Sequence, residues 1–235
     1  MTSDSNTNNP DREANMDTTG SGSDENTTKI DSDVLSAAVR AIKSGELVVY
    51  PTETVYGLGV DALNPDAIKR VFDTKGRTYD NPLSLAVESV SAVARHTNPS
   101  ERAMQFIKAF LPGPVTVIVE CSTAVPDILT AGRDRVGIRI PDHHVALSLL
   151  ERAAPTPITA TSANQSGTGS IVDTNMLAQS IQQNVAVVLE AGETTGTEST
   201  VVDPTRNIIH RRGAMADAVI AWLSDVSGTR PTIES

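Results

Sequence analysis

Cys121 is the chain's one cysteine among 235 residues. This excludes an internal disulfide and any zinc site built from cysteines. Lysine is almost as scarce: Lys29, Lys43, Lys69, Lys75 and Lys108 are all there is, and arginine carries most of the positive charge. With 29 acidic residues the formal net charge is -10, which works against non-specific binding to a phosphate backbone. Aromatic residues make up 3%, too few for a base-stacking platform for single-stranded nucleic acid. No apolar run approaches the roughly 20 residues that span a bilayer, and the polar N-terminus lacks a signal-peptide core. Together these absences predict a cytoplasmic protein with no membrane partner. The acidic, lysine-poor composition favours solubility by repulsion and hydration. It fits an ordinary cytosolic protein and one from a cell with high internal salt equally well.

Hydrophobic residues make up 39%, enough for a core filled mainly by aliphatic side chains. Residues 1–28 are nearly devoid of large apolar side chains and are expected to form a disordered acidic tail. Residues 29–235 are expected to form one domain. A helix is expected after Asp31 or Ser32, with Val34, Leu35, Ala38, Val39 and Ile42 on one face and Gly45 as its stop. Further helices are expected to open at Asn64-Pro65 and Asn98-Pro99, to be capped by Asp142, and to cover residues 174–183 and 215–224. Strands are expected at 47–50, 83–87, 115–120, 136–140, 157–161, 185–190, 200–203 and 207–211. Strands and helices alternate without strict regularity, so the expected fold class is α/β with a twisted mixed sheet rather than a purely parallel one.

Three loops rich in small polar residues lie at strand ends: Thr52 to Gly59, Ser162 to Gly167, and Gly196 to Ser199. Ligands of open α/β sheets bind at strand ends, and small residues let backbone amides approach phosphate oxygens. None of the loops has the glycine spacing of a Walker A or dinucleotide motif. Lys75 and Arg77 follow one helix beyond the first loop; they suit a triphosphate, though taken alone a solvated helix end is the better reading. Arg139 lies among Val136, Ile138 and Ile140, where an unpaired charge is costly. An anionic ligand, Asp134 or Glu53 could each pair with it. His96, His143, His144 and His210 make no metal-ligand spacing, and neither Ser162 nor Ser199 has an evident histidine partner for a hydrolase triad.

Seven ordered blocks resemble the YrdC-like threonylcarbamoyl-AMP synthase family. They are Pro51 to Gly59, Lys75 to Leu83, Leu111-Pro112-Gly113-Pro114, Val136 to Pro141, Ser162-Ala163-Asn164, Glu198-Ser199-Thr200 and Arg211-Arg212-Gly213. The resemblance implies a twisted mixed sheet ringed by helices around a large concave basic cavity. It implies an L-threonylcarbamoyladenylate synthase, a nucleotidyltransferase that makes threonylcarbamoyl-AMP and pyrophosphate from L-threonine, bicarbonate and ATP with Mg2+. The product would pass to the tRNA threonylcarbamoyl-transfer machinery for modification of adenosine 37 in tRNA. By matching motif, Thr54, Arg139, Ala160 and Ser199 would contact threonine. Lys75, Arg77, Asn81, Ser162 and Arg211 would hold ATP, with Arg135 and Ser170 less directly, and Asn164 would support its loop. Lys75 and Arg77 would be the catalytic cations, and no protein metal ligand is expected.

Two positions depart from the family pattern: Thr78 stands where a proline is frequent, and Ala86 where a histidine is common. The short chain is expected to lack the extra C-terminal domain of longer members. Two rivals remain open at this point. One is a relative that makes a carbamoyl adenylate from carbamoyl phosphate; the zinc-finger cysteines of that group are missing. The other is a non-catalytic module with weak RNA binding, which the acidic balance disfavours.

Overall fold

The computed structural model describes residues 30–234; the expected acidic tail over residues 1–28 lies outside them. The described residues form seven α-helices and one ten-stranded mixed sheet. The helices are α1 (Ser32–Lys43), α2 (Pro65–Lys75), α3 (Glu101–Phe110), α4 (Asp127–Thr130), α5 (His144–Ala153), α6 (Gln179–Gln182) and α7 (Ala216–Ser227). The strands are β1 (Leu47–Tyr50), β2 (Gly57–Gly59), β3 (Ser84–Ala86), β4 (Val115–Glu120) and β5 (Arg135–Arg139), then β6 (Ile158–Ser162), β7 (Val185–Val188), β8 (Thr200–Asp203), β9 (Ile208–Arg211) and β10 (Thr232–Ile233). Their order across the sheet is β10-β9-β8-β4-β5-β3-β6-β2-β1-β7. The pairs β10/β9, β8/β4, β5/β3 and β1/β7 are parallel and the other five antiparallel, which gives the mixed sheet expected from the irregular alternation.

Local chemistry explains the helix boundaries. Asp31 caps α1 by accepting from the Asp33 amide, and Asn64 caps α2 by accepting from the amides of Asp66 and Ala67. Pro65 starts α2, and Gly76, at φ 58°, ends it. Two expected caps are displaced. Ser100 rather than Asn98 caps α3, and His143 rather than Asp142 caps α5. The helix expected over 174–183 is broken: Leu177 and Ala178 are extended, leaving a 3₁₀ turn at Thr174–Met176 and the single turn α6.

Side chains alternate between the two faces of the sheet along its strands. Val49, Leu58, Leu85, Val117, Ile138, Val202 and Ile209 pack with α2, α3, α4 and α7 in the larger core. Val48, Tyr50, Ala86 and Ile158 pack with α1 and α5 in the smaller one. Each fully buried aliphatic side chain stabilises the fold by about 1.5–3 kcal/mol. The face covered by α1 and α5 is bare farther along, where β3, β5, β4 and β8 run. That bare stretch is the floor of a cavity.

Candidate active site

The cavity has a volume of about 520 Å³. Its floor is centred on β5, where Arg135, Gly137 and Arg139 alternate onto one face while Val136 and Ile138 go to the core. Ser84 and Ala86 of β3, Thr116 and Ile118 of β4, Ala160 and Ser162 of β6, and Ser199 just before β8 complete the surface. Gly137 keeps it smooth. A Cβ there would lie 2.3 Å from Ser84 Oγ and 2.9 Å from Thr116 Cγ2. Ligand-sized space therefore exists because small side chains sit in the middle of the strands and long ones at their ends. Six arginines line the cavity (77, 133, 135, 139, 206 and 211) against three carboxylates, Asp134, Glu198 and Asp203. A chain of net charge -10 thus concentrates positive charge in one concave place.

Three of these arginines each contact a different carboxylate, and a fourth, Arg206, shares Asp203 at 3.8 Å. Arg135 pairs with Asp203, Nη2 to Oδ2 at 2.8 Å, and donates to the Ile118 carbonyl at 3.2 Å. Arg211 pairs with Glu198 at 2.6 Å and donates to the Ser199 carbonyl and hydroxyl at 3.0 and 3.1 Å. Arg139 lies 3.1 Å from Glu53 Oε1 and donates to Thr54 Oγ1 at 2.5 Å. Of the partners the sequence left open for Arg139, the structure selects Glu53 over Asp134. The pair is imperfect: neither Glu53 oxygen receives a hydrogen bond, and the buried Arg139 Nε has no partner. Such a guanidinium retains donor capacity for an incoming carboxylate. The first loop turns tightly because Thr52 Oγ1 accepts from the amides of Thr54 and Val55, both at 3.2 Å, and bonds the Thr54 hydroxyl at 2.8 Å.

Lys75 and Arg77 differ from these three. The buried Lys75 ammonium donates to the carbonyls of Ser162 and Asn164. Arg77 donates to the carbonyls of Asn81 at 2.9 Å and Pro82 at 3.0 Å. Among the described residues neither is ion-paired with a carboxylate. Burial, and then the neighbouring Arg77 charge, push the Lys75 pKa down to about 8, with Glu198 acting in the opposite direction. Burial and Arg211 lower Arg77 as well. Lys75 and Arg77, close enough for the Arg77 charge to act on Lys75 and neither ion-paired with a carboxylate among the described residues, form a candidate anion site.

Of the residues singled out in the sequence, Arg77, Arg135, Arg139, Ala160, Ser162, Ser199 and Arg211 line the cavity. Thr54 and Lys75 lie behind it, joined to Arg139 and Ser162. Asn164 accepts from the Ser162 hydroxyl and donates to the Thr168 carbonyl at 2.6 Å. Ser170 donates to Glu198 at 2.5 Å. Asn81 stands apart from the lining: its amide donates to Thr78 Oγ1 at 2.6 Å, and its backbone carbonyl steadies Arg77. Ala86, one of the two departures, is buried and lines the cavity. Sequence reasoning gave no role to Glu198, Asp203 or Thr116, whose hydroxyl bonds Ser199 Oγ at 3.1 Å. The acids were visible as carboxylates flanking β8, but only the fold reveals their cation partners. Gly57 and Gly59, read as room for an anion, lie in β2 beneath the Tyr50 ring. A Cβ on Gly57 would come 2.7 Å from Tyr50 Cζ. His143 caps α5 and its pKa is pushed down to about 4 by burial and then by His144.

Residues 40–213 match the family model Sua5/yciO/yrdC, described as "Telomere recombination". The chain is 42% identical over 168 residues to a threonylcarbamoyl-AMP synthase of Pyrococcus abyssi, covering 70% of this chain and 48% of that protein. It is 31% identical over 186 residues to a threonylcarbamoyl-AMP synthase of Vibrio parahaemolyticus, covering 77% of this chain and all of that one. The crystal structure of P. abyssi Sua5 complexed with L-threonine superposes with a TM-score of 0.80 at 36% identity, covering 88% of this chain and 60% of that one. The chain thus spans about half the length of the P. abyssi synthase.

Proposed function

The chain belongs to the Sua5/yciO/yrdC family, and on that premise we propose that it is an L-threonylcarbamoyladenylate synthase, using L-threonine, bicarbonate and ATP and releasing pyrophosphate. The observation that carries this reading is that Arg77, backed by Lys75 and without a counter-ion, lines the same cavity as Arg139, whose Nε is unpartnered. One end suits a polyphosphate and the other a carboxylate, as two substrates of one adenylation require. The synthase names of the relatives and the threonine-bound P. abyssi structure support the same assignment.

In this scheme Arg139 takes the threonine carboxylate in place of its loose contact with Glu53, and Thr54, Ala160 and Ser199 shape the space around the side chain. The neutral threonine amine adds to carbon dioxide and releases a proton to solvent, or condenses with bicarbonate with loss of water, and becomes a carbamate. A carbamate oxygen then attacks the α-phosphorus in line. The phosphorus–oxygen bond to the β-phosphate breaks, and pyrophosphate leaves. The nucleophile is already anionic, so this step needs positioning more than a strong base. Lys75, Arg77 and Arg211 would offset the charge that grows on the phosphates. Ser162, Ser170, Asn81 and Arg135 would hold the nucleotide through direct contacts or through the groups they brace. Among the described residues no group of three or more His, Cys, Asp or Glu side chains is placed to hold a metal ion. Magnesium would enter bound to the ATP phosphates as part of the substrate.

No helix among the described residues is long and apolar enough to cross a membrane. In this reading the protein works in the cytoplasm and hands its product to the tRNA threonylcarbamoyl-transfer machinery. The deciding experiment supplies ATP, bicarbonate and threonine and identifies the products by mass spectrometry, omitting each in turn. Threonylcarbamoyl-AMP formed only with all three supports the assignment. Adenylate formed from carbamoyl phosphate instead would replace it with the carbamoyl-transfer alternative, and tRNA retention without any turnover would replace it with the RNA-binding one.

A further inference from the structure

Glu198 is the cavity carboxylate whose charge acts on Lys75, and its side chain is partly exposed. Its backbone is fixed, because its carbonyl accepts from the Ala214 amide at 2.8 Å. Its side chain is 38% exposed, whereas Asp203, the partner of Arg135, is 1% exposed. Oε2 meets Arg211 Nη1 at 2.6 Å and Oε1 accepts from Ser170 Oγ at 2.5 Å. Arg211 meanwhile directs Nε to the Ser199 carbonyl and Nη2 to the Ser199 hydroxyl. All three nitrogens of that guanidinium are therefore engaged. Ser199 is buried beside β8, and Nη1 and Nη2 each keep a second N–H, so a phosphate that takes those donors arrives beside the Glu198 carboxylate. The Glu198 charge also acts on Lys75, which places it near the phosphate end of the site.

We propose that Glu198 is a resident counter-anion of the nucleotide site: it keeps Arg211 oriented in the empty cavity, yields to the phosphates on binding, and by its charge weakens their grip so that pyrophosphate can leave. This rests on the nucleotide reading above. Glu198 touches no reacting atom in this scheme; it is a positioning residue that acts through Arg211 and through the field it contributes. Like charges a few ångströms apart near a protein surface repel appreciably, and salt screens that repulsion. A residue that only tied two loops together would do the opposite when neutralised, because weakening the tie would loosen Arg211 and cost affinity.

The test is calorimetric titration of the full chain with magnesium pyrophosphate and with magnesium ATP, in the wild type, Glu198→Gln and Glu198→Asp. Gln keeps an acceptor for Arg211 and Ser170 but carries no charge; Asp keeps the charge and shortens the reach. The expected result is pyrophosphate binding at least about threefold tighter in Glu198→Gln, no tightening in Glu198→Asp, and a difference that shrinks as salt is raised. Product inhibition by pyrophosphate should tighten in parallel. Weaker or unchanged binding in Glu198→Gln, or equal tightening in both variants, would overturn the counter-anion role. Wild-type protein that binds neither pyrophosphate nor ATP would remove the nucleotide reading itself, and this inference with it.

Discussion

Arg135 and Arg139 stand at opposite ends of one face of β5, with Gly137 between them. Four residues of strand separate them by about 13 Å, so the two guanidiniums bracket the cavity floor rather than share one ligand group. Each is restrained by its own acid, Asp203 tightly and Glu53 loosely. The difference decides their roles. Arg135 is a fixed wall charge, and Arg139 is the one prepared to change partner.

The bracket requires an empty centre. Gly137→Ala should cost about 1–3 kcal/mol of unfolding free energy through overpacking against Ser84 and Thr116. It should also weaken threonine and ATP binding together, since the new methyl rises from the shared floor. Denaturant melts and paired titrations would check this; a variant of unchanged stability and affinity would show that the floor readily accepts a Cβ.

Lys75→Ala and Arg77→Ala should each lower adenylate formation by at least about a hundredfold, but they should differ in stability. Arg77 is partly exposed and bonds two carbonyls of its own loop, so its loss should leave the melting temperature nearly unchanged. Lys75 ties the carbonyls of Ser162 and Asn164 while buried; its removal leaves acceptors unpaired and should cost about 1–3 kcal/mol. Near-normal turnover in either variant would contradict the phosphate assignment.

The sequence disclosed the parts of the fold that depend on local chemistry. Asp31, Asn64-Pro65 and Gly76 set helix ends through caps and dihedral preferences that a few residues encode. It did not disclose β2, because Gly57-Leu58-Gly59 has no strand propensity and becomes one only between β1 and β6, with Tyr50 filling the space above the glycines. The strand β10 was missed for a similar reason: Thr232 and Ile233 gain their partners only from β9. At the site, cations and hydroxyls were legible as types in suggestive places. The ion pairs were not, since Arg135 and Asp203 are 68 positions apart in sequence and meet only through the pairing of β4 with β5 and β8. Resemblance supplied the positions; the structure supplied the reason Lys75 and Arg77 differ from the paired arginines.

Arg139→Ala should raise the threonine KM by at least about tenfold while changing the ATP KM much less. The single change also strands the Glu53 carboxylate, at a cost of several kcal/mol for a buried charge that loses its partner. Arg139→Leu combined with Glu53→Gln should restore stability and leave threonine binding impaired. If the double variant recovers both, the guanidinium serves the fold and not the substrate. A threonine KM unmoved by any of these changes would say the same.

ATP affinity should fall as pH rises through about 8, because the Lys75 ammonium is held at that pKa by burial and by Arg77. The sign follows from the direction of the shift. Below pH 8 the folded chain keeps the lysine charged and attractive to phosphate; above it the free protein loses that charge, and binding must recover a proton. The loss approaches about tenfold per pH unit at most. Lys75→Arg carries a charge that does not titrate in this range, so its ATP affinity should lack the decline even if its absolute value is lower. Stability moves the other way. Between pH 8 and the ordinary lysine pKa the unfolded chain binds the Lys75 proton more strongly, so this residue's contribution to stability increases with pH. A nucleotide should therefore raise the melting temperature more at pH 7 than at pH 9 in the wild type, and by similar amounts at both in Lys75→Arg. Equal nucleotide-induced shifts at the two pH values in the wild type would mean that the Lys75 ammonium does not face the phosphates.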